Sequence, residues 1–228
     1  MRFERLRSFW QRHRVTVLFL YLPIYLIWFS TLEHRGPVDY TYVHCIVDDW
    51  IPFCEYFIVP YYLWFAYIAV AVIALMLHAK EHPDDFYHCA EALIIGMTAF
   101  LLLNTFWPTA QTMRPSGFAR DNIFTRLVAM IYAADTSTNV FPSIHVYNSL
   151  VIHVALCKSH MMKDHKVLCM ASLVLCILIC ISTVTLKQHS FVDVVGGSVL
   201  FVFVYQLVYH GSLVRGRFFR RHRADSLE

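Results

Sequence analysis

The sequence contains few charged residues, and this scarcity excludes most soluble folds. Only 15% of the 228 residues are Asp, Glu, Lys or Arg, whereas a typical soluble domain has about a quarter. Hydrophobic residues make up 58% of the chain and aromatic residues 16%. This composition indicates an integral membrane protein.

The chain also lacks the residue patterns of a metal-binding protein. Its seven Cys residues show no metal-ligand spacing, and there is no carboxylate cluster of the kind that holds magnesium. We therefore predict a site that uses neither a metal nor a cofactor. Only Cys45 and Cys54 share a predicted outer loop, where an oxidising environment would permit a disulfide.

Long apolar runs predict six membrane-spanning helices. A helix that crosses the hydrocarbon core needs about 20 mostly apolar residues. Four uncharged runs approach that length, and two further apolar stretches are interrupted by polar residues. The predicted spans cover about residues 15–33, 57–78, 88–107, 143–160, 167–186 and 191–210. We expect an all-α fold, a six-helix bundle that forms a single membrane domain over residues 1–228.

Basic residues are concentrated at the two ends of the chain. Five arginines precede the first span (Arg2, Arg5, Arg7, Arg12 and Arg14), and five more form the tail (Arg215, Arg217, Arg220, Arg221 and Arg223). By the positive-inside rule both termini are predicted to be cytoplasmic, in a multi-pass protein of the plasma membrane. We interpret the clusters as topology signals that touch anionic headgroups, not as nucleic-acid binding sites.

Three polar clusters lie where this topology places the outer ends of helices three to six. The first is Arg114-Pro115, after the third span. The second is Pro142-Ser143-Ile144-His145, at the start of the fourth span. The third runs from Ser182 to Asp193, across the loop into the sixth span. Because they share one membrane face, we expect the clusters to be neighbours. In the loop between the first two, Asp121 is predicted to cap a short amphipathic helix.

Taken singly, each of these residues also has a structural interpretation. His189 and Asp193 are four residues apart, so they share a helix face, and a carboxylate can orient a histidine. Ser143 is a candidate helix cap that leaves N–H groups free for an anion. Arg114 and Lys187 are cations that could simply meet headgroups. Together they supply what phosphoryl transfer needs: a nucleophile, an acid and fixed positive charge.

The three clusters resemble the motifs of the type 2 phosphatidic acid phosphatase superfamily, which also includes haloperoxidase-like proteins. The family motifs run K-x6-R-P, P-S-G-H and S-R-x5-H-x3-D. This sequence keeps the spacing but has Trp107 for Lys, Ile144 for Gly and Thr183 for Arg. The pattern Ser-Thr-x3-Lys-Gln-His resembles the branch that includes inositol phosphorylceramide synthases.

The resemblance implies roles for individual positions. His189 would attack phosphorus to form a phosphohistidine, Asp193 would fix its tautomer, and His145 would act as acid and then base. The phosphoryl oxygens would be held by Arg114, Lys187 and the backbone near Ser143 and Ile144. Asn139 and Ser182 are further candidates, and a loop-turn role is an open alternative for Asn139.

Three functions remain open at this stage. The first is a phosphatase that hydrolyses a phosphomonoester or diphosphate of a membrane lipid. The second is a phosphotransferase that passes a phospho-headgroup between lipid and alcohol. The third is a non-catalytic lipid-binding or transport protein that keeps the fold. We expect the site to face the extracytoplasmic side, where a lipid headgroup can reach it.

Overall fold

The computed structural model describes residues 20–36 and 38–210. The chain divides between Val38 and Asp39 into two compact units. The described part of the first unit is an apolar helix, α1 (Leu20–Glu33). Tyr25 packs between Tyr21 and Phe29, one turn away on either side, with ring centroids 6.1 and 6.0 Å away.

The second unit is mostly helical. Its helices are α2 (Ile46–Trp50), α3 (Ile58–His78), α4 (Pro83–Phe106), α5 (Ile123–Ala134), α6 (Ile144–Lys158), α7 (Lys166–Thr185) and α8 (Phe191–Tyr205). A 3-10 turn (Glu55–Phe57) precedes α3, and a π-helical turn (Gln206–His210) continues α8. Two short strands, β1 (Thr41–Tyr42) and β2 (Thr109–Ala110), pair in parallel. Cys45 and Cys54 are free thiols.

Among the described residues, four helices are long and apolar enough to cross a membrane. They cover Glu55–His78, Pro83–Phe106, Lys166–Thr185 and Phe191–Tyr209. These ranges correspond to the second, third, fifth and sixth predicted spans. The chain is therefore a membrane protein, as its composition indicates.

The six-span count is not confirmed for the other two segments. The first predicted span begins at residue 15, outside the described residues, and its described part, α1, is a short apolar helix. The fourth becomes α6, whose 15 residues would extend only about 22 Å at 1.5 Å per residue, less than the hydrocarbon thickness of about 30 Å. The terminal arginine clusters also lie outside the described residues, so the orientation stays a prediction.

Helix α6 packs against α3, α4, α7 and α8, and most of its residues are buried. Two glycines permit close approaches to α6 and its capping residue. A Cβ at Gly96 of α4 would lie 2.0 Å from the ring of Tyr147, and a Cβ at Gly197 of α8 would lie 2.6 Å from the carbonyl oxygen of Ser143. Because glycine has no side chain, both helices pack directly on α6.

Polar contacts at the end of α4 hold the segment that leads into α6. Asn104 donates to the carbonyl oxygen of Phe141 at 2.8 Å and accepts from Thr109 Oγ1 at 2.9 Å. The same hydroxyl accepts from the N–H of Phe141 at 3.0 Å. These buried bonds determine where the first turn of α6, with its predicted site residues, begins.

Helix α5 covers the same end of the bundle, where Val128 and Ile131 pack with Ile58, Tyr61 and Leu186. The amphipathic helix was expected, but its cap is one residue later than predicted. The side chain of Asn122 accepts from the N–H of Thr125 at 3.0 Å, whereas Asp121 pairs with Arg126 at 3.0 Å. Asn122 is the residue whose backbone is extended at the helix start, so its side chain can reach back to the free N–H groups.

Candidate active site

The two predicted histidines and the predicted aspartate form one hydrogen-bonded chain. His189 Nδ1 lies 3.3 Å from Asp193 Oδ2, and His189 Nε2 lies 3.3 Å from His145 Nδ1. A carboxylate can only accept, so the proton on His189 sits on Nδ1 and the lone pair on Nε2. His189 Nε2 then accepts from His145 Nδ1, so the lone pair of Nε2 points toward the His145 ring.

Asp193 is held by the first turn of its own helix. Ser190 caps α8, and its backbone N–H donates to Asp193 Oδ2 at 2.9 Å in a Ser-x-x-Asp capping box. The carboxylate is fully buried, and Oδ1 has no partner within the described part of the chain. A buried carboxylate in this position favours a positive charge on the histidine that it contacts.

His145 lies in the first turn of α6, which begins at the capping residue Ser143. Ser143 is buried, its Oγ faces the N–H of Val146 at 3.5 Å, and half-buried Ile144 is the first residue of the helix. The His145 ring packs against Tyr61 and Trp64, with centroids 4.7 and 4.2 Å away. The free N–H groups of a helix N-terminus therefore lie beside the histidine pair.

A carboxylate that sequence reasoning missed, Asp48, supports this site. Asp48 lies 142 residues before Ser190 in the chain, yet its side chain accepts from Ser190 Oγ at 2.6 Å and from the N–H of Phe191 at 2.7 Å. The N–H of Cys45 donates to it at 2.8 Å. Burial raises the pKa of Asp48, but these hydrogen bonds outweigh burial, so its pKa lies below the ordinary value. No local signal distinguished it from the other acidic residues of the loop.

The structure places the ammonium group of Lys187 against α2. Lys187 Nζ donates to the carbonyl oxygens of Asp48 and Ile51 at 2.7 and 2.6 Å. Its backbone has a positive φ of 53°, and its own carbonyl accepts from Gln111 at 2.9 Å. Lys187 thus joins two loops, and its predicted contact with phosphate stays a prediction.

The guanidinium group of Arg114 is also bonded to protein oxygens. It donates to the carbonyl oxygens of Tyr132 at 3.3 Å, Asp135 at 2.9 Å and Thr136 at 2.8 Å, all at the end of α5. It also donates to the side-chain oxygen of Gln188, the residue before His189. Arg114 therefore reaches the α7–α8 loop through Gln188, which sequence reasoning did not single out.

Two further candidates make local contacts. Asn139 adopts a positive φ of 55°, and its N–H donates to the carbonyl oxygen of Thr109 at 2.6 Å, as in the loop-turn alternative. Ser182 Oγ donates to the carbonyl oxygen of Ile179, one turn earlier in α7, at 2.6 Å.

The positions that depart from the resemblance also have defined contacts. Trp107 donates to Thr41 at 2.8 Å. Thr183 is fully buried, and its carbonyl oxygen accepts from the N–H groups of both Gln188 and His189 at 3.0 Å. In the described ranges, no group of three or more His, Cys, Asp or Glu side chains is placed to hold a metal ion.

The fold and the site define a helical membrane protein whose buried histidine pair is backed by a carboxylate. The sequence model of the PAP2 superfamily matches residues 28–207, so the chain belongs to the PAP2 superfamily. Members of this superfamily are phosphatases and phosphotransferases, which supports an enzyme of this general type that acts on phosphate-bearing substrates at a bilayer. Searches of curated proteins and of solved structures found no match to the chain.

Proposed function

We propose that this protein is a membrane lipid phosphate phosphatase. In this proposal it hydrolyses a phosphomonoester or diphosphate of a lipid through a phosphohistidine on His189, without a metal. The observation that carries the proposal is the position of His189 Nε2, 3.3 Å from His145, while Nδ1 faces Asp193. A histidine with an orienting carboxylate on one nitrogen and an acid–base residue at the other suits nucleophilic catalysis.

In the first step, His189 Nε2 attacks phosphorus and the bond between phosphorus and the lipid oxygen breaks. Protonated His145 gives its proton to the leaving alkoxide and becomes neutral. The charge that develops on the His189 ring is stabilised by Asp193, whose Oδ2 accepts from Nδ1. Because this carboxylate is buried, water does not weaken the interaction.

In the second step, neutral His145 accepts a proton from water, and the resulting hydroxide attacks phosphorus. The bond between phosphorus and His189 Nε2 breaks, which releases phosphate and restores neutral His189. The N–H groups at the start of α6 support the proposal because they offer neutral donors beside both rings. The positive charges of Arg114 and Lys187 would add to the attraction for the anion.

A phosphotransferase of the inositol phosphorylceramide synthase type is the second candidate. It would use the same two steps with an alcohol in place of water. The observation that favours it is the sequence Ser182-Thr183, followed after three residues by Lys187-Gln188-His189. The third candidate, a non-catalytic lipid-binding or transport protein, has the same fold but would release no phosphate.

The testing experiment measures phosphate release from a panel of lipid phosphates and diphosphates by the detergent-purified full chain in EDTA. We expect release that is abolished in His189→Ala and unchanged in His78→Ala, a matched control at the far, exposed end of α3. An active His189→Ala variant would contradict the phosphohistidine. Headgroup transfer that requires an added alcohol would favour the phosphotransferase. A chain that shows no phosphate release and no headgroup transfer would favour the non-catalytic protein.

A further inference from the structure

The side-chain amide of Gln188, the residue directly before His189, is buried, and its N–H donor is unused among the residues that the structure describes. Gln188 is only 2% exposed. Its Oε1 accepts from Arg114, whereas Nε2 has no partner among the residues that the structure describes. A buried donor without an acceptor destabilises a folded protein, so such a group calls for a specific explanation.

Arg114 decides which end of the amide is free. A guanidinium group can only donate, so the atom of Gln188 that faces it must be the oxygen. The amide nitrogen of Gln188 therefore points away from Arg114. Arg114 itself is held by three carbonyl oxygens at the end of α5, which makes it a rigid support for this orientation.

A ring of contacts joins Gln188 to His145. Arg114 binds both Gln188 and the carbonyl oxygen of Asp135. The side chain of Asp135 accepts from Tyr61 Oη at 3.4 Å, and the Tyr61 ring packs on His145. Since His145 faces His189 at 3.3 Å, and His189 follows Gln188 in the chain, these contacts form a closed ring that includes both histidines.

The ligand that suits a free amide donor here is an anion. Two of the three superfamily cation positions hold Trp107 and Thr183 in this chain, and the two cations predicted at the site, Arg114 and Lys187, are bonded to backbone carbonyls. A neutral N–H donor on the residue that precedes the proposed nucleophile can bind a phosphoryl oxygen without those charges.

We propose that Gln188 Nε2 donates to a phosphoryl oxygen of the substrate and that Arg114 is the positioning residue that orients this amide. This inference rests on the proposed function, because it assigns the oxygen ligand at the same site. It makes Gln188 a substrate-binding residue and gives Arg114 an indirect part in anion binding.

The test measures binding of orthovanadate, an anion that can mimic the transferring phosphoryl group, to the full chain in detergent. Binding is followed by the rise in melting temperature with vanadate concentration, which does not require turnover. The variants are Gln188→Met, which keeps the length but removes the donor, and Gln188→Glu, which keeps an acceptor for Arg114. Gln206→Met changes an exposed glutamine beyond the far end of α8 and is the matched control.

We expect the vanadate Kd to rise about tenfold or more in Gln188→Met, since a hydrogen bond to a charged group is lost. Gln188→Glu adds a negative charge and should raise the Kd further, and Gln206→Met should leave it unchanged. If Gln188→Met does not fold, Gln188→Glu alone decides the question. In the Gln188→Met background, Arg114→Lys should not raise the Kd again, because Arg114 acts through the amide.

An unchanged vanadate Kd in Gln188→Met or Gln188→Glu would overturn the assignment of Gln188. The unchanged Kd would leave the proposed function intact, provided that the wild-type chain releases phosphate in a His189-dependent manner. The opposite pattern, a Gln188-dependent Kd without phosphate release, would support the anion site and count against hydrolysis. Absence of vanadate binding to the wild-type chain would overturn the inference about Gln188.

Discussion

The N–H of Ser143 donates to the backbone carbonyl oxygen of Asp193 at 3.0 Å, which joins the start of α6 directly to the first turn of α8. This bond connects the helix that carries His145 to the helix start that orients His189. The distance between the two histidines therefore depends on how closely α8 approaches α6.

Gly197→Ala should separate these helices. The new Cβ would lie 2.6 Å from the backbone carbonyl oxygen of Ser143, and backbone cannot move aside cheaply. We expect a loss of about 1–3 kcal/mol in stability and a fall in activity of about 100-fold, since a shift of about 1 Å can cost that much. Melting temperature and phosphate release measure the two effects. Gly117→Ala, which meets nothing within 4 Å, should change neither.

Asp193→Asn should preserve the shape of the site but remove the group that orients His189. By analogy with catalytic triads, where the same change leaves the wrong tautomer, we expect kcat to fall by about 10⁴-fold. Asp121→Asn alters an exposed aspartate paired with Arg126 and serves as the control. Near-normal turnover by folded Asp193→Asn protein would show that the buried carboxylate does not act on the nucleophile.

His145→Ala should slow the reaction in a manner that depends on the leaving group. A lipid alkoxide needs a proton as it departs, whereas an activated aryl phosphate does not. We expect a loss of about 10²–10⁴-fold with a lipid phosphate and a smaller loss of the first, burst-phase step with the aryl ester. Rapid-quench kinetics on both substrates provide the comparison. Equal losses in that step would argue against an acid role for His145.

Asp48 should make stability sensitive to acid. Its folded pKa lies below its ordinary value of 3.8, so the stabilisation is present above the ordinary pKa and is lost as the pH falls through the lowered folded pKa. Asp48→Asn should cost about 1–3 kcal/mol at neutral pH and should flatten this acid dependence. Melting curves from neutral pH down to about pH 3 test both points. Asp49→Asn, an exposed neighbour, should retain the acid dependence of the wild type.

Lys187→Met separates the two roles of this lysine. The ammonium group bonds two backbone carbonyl oxygens, so its removal should lower the melting temperature. If these contacts are its main role, the vanadate Kd of the folded variant should stay within about twofold of the wild type, a change of under about 0.5 kcal/mol. A large increase in Kd would support the direct phosphate contact that the sequence predicts. Lys166→Met, at the start of α7 and exposed, is the control.

The helices and the candidate site residues could be proposed from the sequence because their signals are local. Apolar runs of sufficient length indicate membrane helices, and four of them are confirmed as long and apolar enough to span. The spacing of His189 and Asp193 predicts that both side chains meet on one helix face; they do meet, at 3.3 Å, but His189 lies just before the capping residue Ser190 and not on the helix. Ser143 was predicted as a cap because a short polar side chain before a helix satisfies its free N–H groups.

Only the tertiary structure decided how distant residues meet. Asp48 reaches Ser190 across 142 residues, and Arg114 reaches Gln188 across 74. Neither pairing leaves a pattern along the chain, because each depends on how loops cross at the end of the bundle. The sequence by itself determined which side chains are candidates for chemistry, because residue type and spacing are local properties; the packing of α5, α6 and α8 decided which other protein groups their atoms contact.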